Sequence, residues 1–169
     1  ESLARNVAWP HSSRNRPRVV IIGAPDRDRV RSESERLRPI IAQHAEIVAE
    51  DYGFSYQFGD QEIDLVIVLG GDGSILQTAR QLEGRTTPVL GVNCGNLGFL
   101  AALSPDDFIE VWPRVCCGAF EVVDHLMLEV RMIRDGEVAF RQLVLNEIAI
   151  LGGPPYTIRG SELFADGNR

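Results

Sequence analysis

The stretch Leu65–Ala79, "LVIVLGGDGSILQTA", decides how this chain is read. Leu65–Leu69 is an uninterrupted apolar run, the pattern of a parallel strand buried on both faces. After Ser74, the residues Ile75, Leu76, Ala79 and Leu82 recur at helical spacing. Gly70, Gly71 and Gly73 therefore stand where a strand turns into a helix, and bare backbone N–H groups at a helix N-terminus attract phosphate. A carboxylate, Asp72, stands among them. It would repel phosphate unless it held a bridging Mg²⁺ or took a proton from the attacking group, and both roles recur in phosphoryl transfer. The plainer alternative is a tight turn in which glycine serves geometry alone and Asp-Gly is an ordinary turn pair.

Working outward, Arg18–Gly23 ("RVVIIG") reads as a first buried strand, Ala45–Glu50 as a second, the run ending at Gly70 as the third and Pro88–Val92 as the fourth. A helix over about Arg29–Gln43 separates the first two and carries Val30, Leu37, Ile40 and Ile41; Pro39 is expected to kink it or start a new turn. Such alternation predicts an α/β fold with a Rossmann-like parallel sheet, whose ligands bind beyond the carboxyl ends of the strands. Two glycine-rich loops, Gly70–Gly73 and Gly91–Gly98, fall at such ends. Ser104 is expected to cap an amphipathic helix reaching about Gly118. Farther on, Leu126, Leu128, Val130 and Met132 alternate with Met127, Glu129, Arg131 and Ile133, and Asp135-Gly136 supplies a hairpin turn. The chain divides into a flexible tail over 1–17, an α/β phosphate- and nucleotide-binding domain over 18–119, and the beginning of an incomplete antiparallel β-rich domain over 120–169.

Composition narrows the function. A net charge of −7 argues against a nucleic-acid partner, and no apolar run is long enough to span a membrane. All 17 basic residues are arginine, so chemistry that needs lysine, including the Walker-A motif, is excluded. Cys94, Cys116 and Cys117 make an odd count without C-x-x-C spacing, the pattern of reduced thiols in a cytoplasmic protein. The vicinal pair reads as packed residues on a helix. His11, His44 and His125 lie far apart in sequence, and no metal ligands are expected from the protein.

The second loop, "GVNCGNLGFLA" (Gly91–Ala101), puts Asn93 where a dinucleotide fingerprint needs its second glycine. It is either a long connection with asparagines in turn positions or a place where a nucleotide approaches backbone amides. Asn146-Glu147, inside the apolar "VLNEIAI", either turns one residue to solvent or recognises a ribose, with Glu147 accepting from hydroxyls.

Together "GGDGSILQTAR", "GVNCGNLGFL" and "LNEIAI" resemble the NAD kinase family over roughly Arg18 to Phe164. The first motif is shared with diacylglycerol and sphingosine kinases; the other two are more specific. The resemblance implies transfer of the γ-phosphate of ATP, or of polyphosphate, to the 2′-hydroxyl of the adenosine ribose of NAD. It implies Asp72 as proton acceptor, Gly70, Gly71, Asp72, Gly73 and Asn93 as nucleotide contacts, Phe99 in an adenine pocket, and Asn146 with Glu147 holding the dinucleotide. It also implies ATP with a divalent metal such as Mg²⁺, and a homo-oligomer, dimer or tetramer. The family's "DG…TPTGSTAY"-like continuation is missing, and "FADG" (Phe164–Gly167) comes too early to match it. The chain is thus expected to be the N-terminal part of a longer enzyme, or a truncated form. The alternatives are a lipid or other alcohol kinase of the same superfamily, whose acceptor pocket would be apolar, and a non-catalytic module that senses ATP or NAD.

Overall fold

The computed structural model describes residues 4–6, 16–24, 28–95, 98–145, 162 and 164–166. In chain order the elements are β1 (Ala4–Asn6), β2 (Arg18–Gly23), α1 (Asp28–His44), β3 (Glu46–Asp51), β4 (Leu65–Gly70), α2 (Asp72–Gln81), β5 (Val89–Asn93), α3 (Pro105–Cys116), β6 (Glu121–Val123), β7 (Met127–Arg134) and β8 (Glu137–Leu145). The apolar runs read as strands form one four-stranded sheet in the order β3-β2-β4-β5, parallel throughout.

That order reverses direction between β2 and β4. From β2 the chain crosses through α1 to one edge; from β4 it crosses through α2 to the other. Right-handed crossovers then put the two helices on opposite faces. Packing bears this out. Val19, Ile21, Leu65, Ile67 and Leu69 pack with Val30, Leu37 and Ile41 of α1 and with Phe108 and Trp112 of α3. Their neighbours Val20, Ile22, Val66 and Val68 pack on the other face with Ile75 of α2, Leu82, Phe58 and Ile63. Full burial of an aliphatic side chain contributes about 1.5–3 kcal/mol, so this doubly covered sheet dominates the stability of the chain.

Several local expectations are met in detail. Ser104 caps α3 through a reciprocal box with Asp107, its hydroxyl accepting from the Asp107 N–H at 3.1 Å. Asp135 and Gly136 turn the β7–β8 hairpin with φ of 54° and 83°, the left-handed conformations a tight hairpin demands. Other expectations shift. Helix α1 runs through Pro39 without a break. Within the stretch expected to be a tail, Ala4–Asn6 pairs antiparallel with Glu121–Val123. Pro17 is buried, and the Arg16 guanidinium donates to the carbonyls of Ala42 and Ala45. In the hairpin, Leu128, Met132 and Phe140 are exposed alongside Ile133 and Val138 on the opposite face, whereas Gln142–Leu145 at the end away from the turn are half-buried.

Candidate active site

The switch point of the sheet lies at the carboxyl ends of β2 and β4, where open α/β sheets bind ligands. Gly70 ends β4 there and pairs in register with Asn93, the last residue of β5. Its φ of +157° and the space around it both require glycine, because a methyl there would lie 2.8 Å from Cβ of Ser74. Gly71 is the extended N-cap of α2 and provides no side-chain cap. The N–H groups of Asp72 and Gly73, in the first turn of α2, find no acceptor among the described residues.

The second loop closes on the first. The Cys94 N–H donates to the Gly70 carbonyl at 3.3 Å. The chain then comes back so that the N–H of Phe99 donates to Asp72 Oδ2 at 2.9 Å. The N–H groups of Leu100 and Ala101 donate to Asp72 Oδ1 at 3.0 and 3.2 Å. The two glycine-rich loops are therefore one structure, joined through a single carboxylate. The sequence reading of Asp72 weighed a metal and a proton; these backbone donors are an addition to it.

Hydrogen bonds from Phe99 and Leu100 hold the Asp72 carboxyl below its ordinary range, burial opposing them and Ala101 adding to them. No charged side chain takes part. An ionised carboxylate accepts about four hydrogen bonds, so among the described residues the three amides leave one position, on Oδ2, for an incoming donor. Nearby Cys94 is buried, which pushes its thiol up to about 11 and makes it inert.

The structure brings Gly70, Gly71, Asp72, Gly73 and Asn93 together. Asn93 is buried, and its Oδ1 accepts from the Gly95 N–H at 2.8 Å, which shapes the loop. Phe99 joins the group through its backbone, while its ring is fully exposed. Asn146 and Glu147 lie outside the described residues. A cavity of about 460 Å³ opens along β5, lined by Thr87, Val89, Val115, Phe120, Val122 and Met127 among others. Leu100, whose amide holds Asp72, also lines it, whereas Gly70, Gly71, Asp72, Gly73, Asn93 and Phe99 do not.

Glycine-rich loops at the switch point of a doubly wound sheet define the class, an open α/β domain of the kind that binds ligands beyond its strand ends. The match is more specific than that. Residues 20–120 match the family model of the ATP-NAD kinase N-terminal domain, and the chain belongs to the NAD kinase family. An NAD kinase of Rhodopirellula baltica is 60% identical over 151 residues, 89% of this chain and 49% of that protein. One from Chromohalobacter salexigens is 46% identical over 104 residues, 62% of this chain and 36% of that protein. The chain thus spans about half the length, or less, of these curated relatives. A crystal structure of yeast NADH kinase complexed with NADH superposes with a TM-score of 0.62 at 18% identity, over 85% of this chain and 47% of that one, and shares its fold. No described helix is long and apolar enough to cross a membrane.

Proposed function

We propose that the full-length protein is an NAD kinase, transferring the γ-phosphate of ATP to the 2′-hydroxyl of the adenosine ribose of NAD. The observation that carries this reading is Asp72, fixed by three amides at the switch point with one acceptor position open. In the transfer, the bond from the 2′-oxygen to the γ-phosphorus forms as the bond to the β–γ bridging oxygen breaks, ADP leaves, and the hydroxyl proton passes to Asp72. Phosphoryl transfer goes through a loose transition state, so orienting the hydroxyl matters more than strong basicity. A carboxylate of lowered basicity suits that task. The N–H groups of Asp72 and Gly73 face the side on which donor phosphates would lie.

Among the described residues no group of three or more His, Cys, Asp or Glu could cage a metal ion. A divalent cation such as Mg²⁺ is read as arriving with ATP, coordinated by its phosphates and water. Asn146 and Glu147 are assigned to the NAD ribose and Phe99 to its adenine. Residues 18–119 are assigned to the nucleotide-binding domain and 120–169 to a β-rich domain. A homo-oligomer and a cytoplasmic location complete the proposal; none of the three cysteines is in a disulfide.

The test is to incubate the full-length protein with Mg²⁺ and NAD, supplying ATP or polyphosphate, and to look for NADP. Diacylglycerol as acceptor tests the lipid-kinase alternative in parallel. Glu147→Ala separates the two more finely. Loss of a charge-assisted bond worth about 1.5–3 kcal/mol should raise KM for NAD by about one to two orders of magnitude and leave that for ATP nearly unchanged. No loss for NAD would remove Glu147 from the site.

A further inference from the structure

Gly98 immediately precedes the three residues whose amides hold Asp72. The three atoms nearest a methyl placed on Gly98 all belong to the Asp72 carboxylate: Cγ at 2.6 Å, Oδ2 at 2.9 Å and Oδ1 closer still. By contrast a methyl on Gly71 or Gly73 meets nothing within 4 Å. The glycines of the two loops are thus not equivalent. Those beside Asp72 in sequence leave open space, whereas the one across from it is filled by the carboxylate itself.

We propose that Gly98 is the positioning residue for Asp72: its missing side chain admits the carboxylate to the three amides of the second loop, and so sets where the open acceptor position points. This rests on the NAD kinase reading for its catalytic half, while the seating of the carboxylate stands on geometry alone. An alanine at 98 and the seated carboxylate cannot share the same space. The carboxylate is the end of a short side chain with two rotatable bonds, so it is the part that yields. Gly98→Ala therefore keeps the acid but turns it away from Phe99–Ala101. Asp72 then loses its fixed aim, and the acceptor hydroxyl loses its partner. Misorientation of a reacting group by about an ångström reduces turnover on the order of 100-fold.

The experiment is a double-mutant cycle in the full-length protein: wild type, Gly98→Ala, Asp72→Ala and the pair. Two readouts are taken, steady-state kinetics of NADP formation and hydrogen exchange of the segment 99–101. Gly98→Ala is expected to lower kcat 10- to 100-fold with KM for NAD and ATP within a few-fold. It should also speed exchange at 99–101 as much as Asp72→Ala does. In the Asp72→Ala background the group that a methyl at 98 would strike is gone. There Gly98→Ala should change neither exchange nor melting temperature, which is the non-additivity expected of two residues acting through one contact. Should Gly98→Ala alone fold poorly, the double variant should regain the stability of Asp72→Ala.

Unchanged protection at 99–101 in Gly98→Ala would overturn the proposal, as would a further loss of protection or stability in the Asp72→Ala background. An active wild type, coupled exchange and an unaltered kcat in Gly98→Ala would overturn the positioning role while leaving the NAD kinase reading intact. No NADP from the wild type, with exchange still coupled, would sink the kinase reading and the catalytic half with it, but not the seating of Asp72.

Discussion

Two carboxylates, Asp51 at the end of β3 and Asp72 just beyond β4, each collect three backbone N–H groups at the carboxyl end of the sheet. Asp51 takes its donors from its own turn: Gly53 at 2.9 Å, and Ser55 and Tyr56 at 2.7 Å. Nε2 of Gln81 on α2 at 3.1 Å is a fourth donor, and the Ser55 hydroxyl at 3.4 Å is a fifth. Asp72 takes its donors from residues 27–29 positions away and keeps one acceptor position open. The first organises a connection; the second joins two loops and still faces outward. The difference teaches that backbone partners alone do not mark a carboxylate as structural. What matters is whether its coordination is complete and which parts of the chain it joins.

The contrast can be broken most sharply through activity. In the full-length protein Asp72→Asn should lower kcat for NADP formation by about 10²–10⁴, equivalent to roughly 3–5 kcal/mol of barrier. Affinity for NAD should stay within a few-fold. Asp51→Asn should leave kcat within a few-fold once folding is matched. Similar losses in both variants would erase the distinction.

Stability should rank the two the other way. Asp51→Ala leaves the donors of a buried carboxylate without their acceptor, at a cost of about 1–3 kcal/mol. Thermal unfolding of Asp51→Ala against Asp72→Ala measures this, with the larger fall in melting temperature expected at Asp51. A smaller change is expected for Gln81→Leu, which removes the fourth donor to Asp51 and the bond to the Tyr56 carbonyl at 2.6 Å. About 0.5–1.5 kcal/mol is the ordinary net contribution of such a bond. Denaturant titration of Gln81→Leu tests it, and a midpoint equal to that of the wild type would show that the other donors suffice.

Acid titration should give the subtlest difference. Burial pushes the Asp51 carboxyl up, but bonds from Tyr56, Gly53, Gln81 and Ser55 outweigh it and hold the carboxyl below its ordinary value of 3.8. Asp72 is lowered as well. A carboxylate depressed in the folded state binds fewer protons there than in the unfolded chain. Its stabilisation is therefore full above about pH 4 and is lost as pH falls through the lowered folded values. Stability measured at pH 5 and again near pH 3 should fall less in Asp51→Asn and in Asp72→Asn than in the wild type. An undiminished fall in both would show that other groups govern acid unfolding.

Much of the fold was legible because burial on both faces writes itself as unbroken apolar runs. Val19–Ile22 and Leu65–Leu69 are buried throughout, as such runs require. Ser104 and Asp135-Gly136 were legible for a related reason: caps and tight turns depend on local chemistry. Contacts distant in sequence were not. Nothing in "GGDG" states that the amides of Phe99, Leu100 and Ala101 will reach it, and nothing in "EDYGFSY" ranks Asp51 beside Asp72. Pro39 does not end α1, because its lost N–H is tolerated inside a helix that tertiary packing holds through Val30, Leu37 and Ile41. The hairpin was legible from its alternation, which encodes two faces without supplying a layer that covers them.

The central claim, that Asp72 is held by the second loop so as to meet the acceptor hydroxyl, is tested most directly by a crystal structure of the full-length protein with NAD bound. The account predicts the ribose 2′-oxygen within hydrogen-bonding reach of Asp72 Oδ2, about 2.6–3.2 Å, with the amides of Leu100 and Ala101 still on Oδ1. A bound NAD whose 2′-hydroxyl lies out of reach of Asp72, its carboxylate still held by the loop, would contradict it.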